Sequence, residues 1–153
     1  MENIFNHQKL QEKIDRIASE SGLKSVLVMK SHPEEMEVVL SGGKEGKEIY
    51  HATDRGKKSV HPEGKHPLYC EKVVNTNQIL EVQDASIDEE WKYNEDLVEF
   101  GLGTYLGLPI EQNGEVVGTV CALHDERFDF REQEGSVLNQ LKEVKEEIEN
   151  QLI

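Results

Sequence analysis

The chain has 153 residues, enough for one domain of ordinary size and too few for two. Its formal net charge of −14 repels phosphate backbones and anionic membranes, so nucleic-acid and lipid-surface binding are disfavoured. Hydrophobic residues make up 36% and gather in distinct clusters, which argues for a packed core rather than disorder.

The elements follow in chain order. Between Asn3 and Ser21, Leu10, Ile14 and Ile17 step by four and three and so share one helical face, and Gly22 is placed to end that helix. The apolar run Ser25–Met29 predicts a buried strand, and Met36–Leu40 a second that closes a hairpin through the turn at His32-Pro33-Glu34. Residues 44 to 66 are rich in Gly, Pro and Lys; a short strand near Glu48–Ala52 is expected there, and the rest reads as a long surface loop. Pro67 suits the first position of a helix carrying Leu68, Tyr69, Val73 and Val74. Ile79–Val82 predicts a strand. Ile87–Gly101 predicts one helix bearing Trp91, Leu97, Val98 and Phe100. Thr104–Ile110 and Glu115–Leu123 predict two strands joined at Asn113-Gly114, a strong short hairpin signal. Glu132–Leu152 predicts a long helix whose Val137, Leu141, Val144 and Ile148 step by four, three and four. Early and late hairpins with helices between them imply an α+β layout around a mainly antiparallel sheet.

Several ordered blocks go further. They are Leu68–Val74, Ile79–Ala85, Tyr105-Leu106-Gly107-Leu108-Pro109-Ile110, Gly114–Leu123, and Phe128-Asp129-Phe130 leading into the last helix. This series resembles the GAF domain family, in the form found in bacterial sensor kinases and diguanylate cyclases. The resemblance implies a GAF/profilin-like α+β fold. Its central antiparallel sheet would have five to six strands, with N- and C-terminal helices on one face and connecting helices over a pocket on the other. The whole of residues 1–153 is then one domain: an N-terminal helix (1–22), sheet and pocket helices (23–130), and a C-terminal helix (131–153). Gly107 and Pro109 interrupt their strand, so both are expected at an edge or bulge.

Candidate chemistry is sparse. GxSxG, a phosphate loop ending in GK[ST] and HExxH are all absent from the sequence. Some stand-alone GAF proteins reduce free methionine sulfoxide through cysteines, and the resemblance places one of those cysteines where this chain has Asn94, Glu95 and Asp96. Cys70, near the start of its helix, is expected to have a somewhat lowered pKa, and Cys121 to be inert core. His51, His61, His66 and Cys70 match no closed zinc spacing and read as solvated loop histidines beside a thiol. Covalent tetrapyrrole attachment is disfavoured because Ala122, not a histidine, follows Cys121. Asp84 could bind a ligand amine or hydroxyl, or cap the turn before Ile87; capping is the preferred reading. Trp91, Tyr93 and Tyr105 lie in segments that, by resemblance, face the pocket, and they could line it or fill the core.

The expected ligand-binding set is therefore Tyr69, Cys70, Asp84, Trp91, Tyr93, Tyr105 and Cys121. It implies a non-enzymatic sensory module that binds a small molecule, with no catalytic residue, metal or cofactor. The alternatives are a Cys70-dependent sulfoxide reductase and a ligand-free dimerisation module. The stripes on both terminal helices suggest a homodimer, and output would pass to a signalling protein in trans. Two cysteines outside any CxxC, with no apolar leader or membrane-length run, point to the cytoplasm.

Overall fold

A computed structural model describes residues 7–43, 49–58, 68–131 and 136–152. Its elements are helix α1 (His7–Ser21), strands β1 (Ser25–Ser31), β2 (Glu35–Gly42) and β3 (Arg55–Lys57), helix α2 (Tyr69–Thr76), strand β4 (Leu80–Val82), helix α3 (Glu95–Phe100), strands β5 (Thr104–Gln112) and β6 (Glu115–His124), and helix α4 (Val137–Leu152). The strands form one antiparallel sheet in the order β3-β2-β1-β6-β5-β4.

The sheet is buried on both faces, and side-chain alternation sorts the strands' residues between two cores. Val26, Val28, Leu40, Leu106, Leu108, Ile110, Val120 and Ala122 face α1 and α4. Leu27, Met29, Met36, Val38, Tyr105, Cys121 and Leu123 face α2 and the segment around α3. This is why Val26–Met29 reads as an unbroken apolar run. Leu40 and Val38 are two residues apart yet serve opposite cores. The β1–β2 register shifts after Val28, which leaves Val39 without a partner on β1 and returns Leu40 to the helix side.

The stripes of the terminal helices are spent on this same sheet. Leu10, Ile14 and Ile17 of α1 and Val137, Leu141, Val144 and Ile148 of α4 are at most 5% exposed and share the helix-side core. Burial of such side chains contributes about 1.5–3 kcal/mol each. A dimer through the terminal helices would therefore have to use other residues of α1 and α4. The two helices are also linked by exposed or half-exposed pairs of Lys13 with Glu143 and Glu147, both 3.7 Å, which add little.

Gly22 ends α1 in a left-handed conformation, its N–H bonded to the Ala18 carbonyl at 2.9 Å. Asn113 and Gly114 adopt φ of 54° and 82° between the paired residues Gln112 and Glu115, a two-residue turn with both central φ positive.

Three expectations need correction. The strand expected near Glu48–Ala52 lies instead at Arg55–Lys57; His51-Ala52-Thr53 form the turn before it, and Thr53 takes φ 78°. The single helix expected over Ile87–Gly101 is broken. A short 3-10 turn spans Ala85–Ile87, irregular turns follow, and only Glu95–Phe100 is α-helical. Asp and Asn side chains compete for the backbone donors a continuous helix would use. Asp88 Oδ1 accepts from Glu90 N–H at 2.9 Å, and Asn94 Oδ1 accepts from Leu97 N–H at 3.1 Å, so Asn94 starts a new helix. Lastly, Gly107 lies in an interior strand rather than at an edge or bulge, for a reason given below; Pro109 does sit at an effective edge, because β4 covers only Tyr105–Gly107 of β5. Pro67 and the first residues expected for the N- and C-terminal helices lie outside the described residues.

Candidate functional site

On the face away from α1 and α4, the sheet floors a cavity of about 240 Å³. That is slightly below the range of about 300–1,000 Å³ that holds drug-sized ligands, and suits a smaller molecule. Leu27, Met29, Val38, Tyr105, Cys121 and Leu123 form the floor. Leu68 and Cys70, at the start of α2, form one wall, and Asp54, Arg55 and Gly56 another. Tyr50 and the α3 residues Glu95, Asp96, Glu99 and Phe100 complete the lining among the described residues.

Two residues of the lining pack edge to face: the Tyr50 and Phe100 rings are 5.1 Å apart. The Tyr50 hydroxyl donates to Asp96 Oδ1. Burial, then the carboxylates of Glu95 and Glu99, push the Asp96 carboxyl up to about 6, although the Tyr50 bond works against the rise. Burial is also the first cause raising the Tyr50 phenol, followed by the Asp96 charge. Glu95 is raised by burial and by Glu99. A raised Asp96 carboxyl beside a raised Glu95 in a cavity is a functional-site candidate.

The floor holds a second unusual group. The Tyr105 hydroxyl is buried and has no nitrogen or oxygen hydrogen-bond partner among the described residues. The residue stacks on Tyr69, with centroids 4.6 Å apart, and its ring folds across Gly107. A Cβ on Gly107 would stand 2.1 Å from the Tyr105 oxygen, so glycine is needed for contact rather than for strand geometry. Cys121 is the β6 partner of Gly107, and among the described residues its thiol is the one group the hydroxyl contacts, a weak partner.

The seven residues expected to bind ligand separate into three groups. Cys70, Tyr105 and Cys121 line the cavity. Tyr69 and Trp91 lie behind it as packing: Trp91 tilts on Tyr69 with centroids 5.0 Å apart, and the Tyr69 hydroxyl donates to the Leu102 carbonyl at 2.9 Å. Asp84 and Tyr93 lie elsewhere. Asp84 Oδ1 accepts from Ser86 N–H at 3.1 Å and from the Ser86 hydroxyl, capping the 3-10 turn; the hydroxyl contact holds its carboxyl below the ordinary value. Tyr93 is 65% exposed, with Lys92 over its ring. Sequence reasoning missed the rest of the lining, its polar members Tyr50, Asp54, Arg55, Glu95, Asp96 and Glu99 among them.

The thiols depart from expectation in one respect. Burial raises Cys70 well above the ordinary thiol value and outweighs its place at the start of α2; Cys121 is raised for the same reason. Both are held as thiols. Of the loop histidines, His51 is exposed, and His61 and His66 lie outside the described residues. His124, Asp125 and Glu126 could gather round a cation. However, His124 Nδ1 accepts from Lys24 N–H at 3.3 Å, which puts the neutral ring's proton on Nε2, the nitrogen facing both carboxylates. That arrangement suits a hydrogen bond to an acid better than a metal.

Among the described residues, no helix is long and apolar enough to cross a membrane. No match is found among curated protein sequences. Among solved structures, the chain is similar to the GAF domain of an Acinetobacter phosphoenolpyruvate-protein phosphotransferase, at 16% identity and TM-score 0.66, covering 95% of this chain and 81% of that one. It is similar to the type II free methionine-R-sulfoxide reductase of Thermoplasma acidophilum, at 11% identity and TM-score 0.65, covering 95% and 91%. It is also similar to a Staphylococcus aureus NreA protein mutated in its nitrate binding site, at 13% identity and TM-score 0.61, covering 92% and 99%. At these identities the likeness carries the fold alone. The sequence profile of the GAF domain matches residues 7–144, and the chain belongs to the GAF domain family.

Proposed function

We propose that this GAF domain is a non-catalytic sensory module that binds a small molecule in the cavity between the sheet, α2 and α3. The cavity itself carries the reading: about 240 Å³, apolar at its floor and polar on one side, in a domain whose other core is filled. Leu27 and Cys121 on the cavity side alternate with Val26, Val28, Val120 and Ala122 beneath α1 and α4. A ligand pressing on the floor therefore pushes on the strands that seat the terminal helices. Output would pass through those helices to a second copy of the chain or to a signalling protein in trans.

A reductase reading, which the Thermoplasma neighbour's activity brings to mind, has less support. It needs an attacking thiolate, and burial holds both thiols protonated. Nitrate, the ion named for the staphylococcal neighbour, fits poorly beside Glu95, Asp96 and Glu99.

Thermal-shift screening of a metabolite library against the wild type and Leu27→Phe, which fills the floor, tests the reading. At least one compound should raise the wild-type melting temperature and leave the variant's unchanged. If no compound stabilises the wild type, or both proteins respond alike, the cavity is not a ligand site.

A further inference from the structure

The cavity's charge and its one stranded hydroxyl together specify a ligand class. Among the described residues, four carboxylates line it, Asp54, Glu95, Asp96 and Glu99, against one cation, Arg55. Arg55 is already committed, its guanidinium 3.3 Å from Glu35 and 3.4 Å from Glu37. Asp54 is committed as well, accepting from the His51 N–H at 2.8 Å. The nearby ammonium of Lys58 bonds to Ser31 Oγ at 2.8 Å and is not part of the lining. Glu95, Asp96 and Glu99 remain as a trio on one turn and a half of α3. Among the described residues, only the Tyr50 hydroxyl is hydrogen-bonded to the Asp96 carboxylate.

An acidic trio alone would be an ordinary solvated face. The second observation is independent of it. The Tyr105 hydroxyl, on a residue 1% exposed, lies on the floor with no partner among the described residues stronger than the Cys121 thiol. Burying such a group costs free energy unless something bonds to it. The same cavity therefore offers negative charge on α3, apolar surface on the floor and a hydroxyl met only by a thiol. The Tyr50 and Phe100 rings beside the trio also favour positive charge over negative.

We propose that the cavity takes a small organic cation: an ammonium group held by the Glu95–Asp96–Glu99 trio, an apolar body over Leu27, Met29 and Leu123, and a hydrogen-bonding group on Tyr105. This rests on the cavity being a ligand site at all, and the test separates the two claims. Three probes of matched length differ only in charge at one end: 4-amino-1-butanol, 1,4-butanediol and 4-hydroxybutyrate. Each is titrated by NMR into the wild type, Asp96→Asn, Tyr105→Phe and Leu27→Phe.

The expected result is binding of the amino alcohol about tenfold tighter than the diol, with no detectable binding of the carboxylate. Asp96→Asn should erase most of that preference while leaving diol binding unchanged. Tyr105→Phe should weaken both the amino alcohol and the diol and keep the preference. Should Asp96→Asn fail to fold, the double variant Glu95→Gln, Glu99→Gln reads the same preference. Carboxylate or diol binding as tight as the amine, abolished by Leu27→Phe, would overturn the cation class and leave the ligand site standing. No binding by any probe overturns the class as well. A library screen that is also blank then takes the ligand-site reading with it, whereas a library compound blocked by Leu27→Phe preserves it.

Discussion

Asp96→Asn should stabilise this domain at pH 8 and leave its stability unchanged at pH 3. The Asp96 carboxyl is lifted from 3.8 to about 6, first by burial and then by Glu95 and Glu99. Tyr50 donates to it, and the thiols and Tyr105 hydroxyl of the cavity floor feel its charge. A rise of that size makes the anion about 3 kcal/mol less favourable in the folded chain than in the unfolded one. Asp96 is partly exposed, so solvent screening makes this an upper bound, and a gain of about 1–3 kcal/mol is expected. The sign follows from the raised folded value. Below pH 3 the carboxyl is largely neutral in both states and costs almost nothing; as pH rises from 3 through 6 the folded state binds the extra proton, and stability falls. Asparagine is neutral throughout and can still accept from Tyr50, so it removes the penalty without removing the bond. Urea denaturation of both proteins at pH 8 and pH 3 reads the difference directly. A variant no more stable at pH 8, or equally stabilised at both pH values, would refute the reasoning.

Three further predictions rest on the cavity floor. Tyr105→Phe removes a buried hydroxyl whose one partner among the described residues is the weak Cys121 thiol, and should raise stability by about 1 kcal/mol in the absence of ligand; a loss in urea denaturation would mean the hydroxyl is satisfied. Gly107→Ala drives a methyl into the Tyr105 ring and should cost about 1–3 kcal/mol. Adding Tyr105→Leu should recover part of that cost, and strict additivity in the double-mutant cycle would deny the contact. Native protein at pH 8 should react with a thiol reagent such as DTNB far more slowly than urea-unfolded protein at both Cys70 and Cys121; a fast native phase would revive thiol chemistry.

The frame of this fold was legible because its signals are local. Val26–Met29 reads as a strand buried on both faces, Asn113-Gly114 as a tight hairpin, and the four-three stepping of α1 and α4 as faces turned to the sheet. Whether those faces seek a sheet or a partner is not a property of the period, and here the protein's own sheet takes them. The site was harder for three reasons. The bulge at Val39 reverses which core the end of β2 serves, and no residue type announces it. Between Asp88 and Asn94, polar side chains capture backbone donors and break the expected helix, which carries Tyr93 to the surface and Asp96 to the cavity. Tyr50 meets Asp96 across 46 residues, a pairing that exists only in the folded chain. Cys70 misled for a related reason: its place near the start of α2 suggested a lowered pKa, while the burial that dominates comes from tertiary packing.

The most direct test of the account is contact between a bound molecule and the cavity floor. With 4-amino-1-butanol added, intermolecular NOEs should appear to the methyl groups of Leu27, Met29, Val38 and Leu123, and none to Leu141, Val144 or Ile148 beneath the terminal helices. A filled floor that gives no NOE with this probe or with any compound that stabilises the protein, or NOEs confined to the helix side, would contradict it.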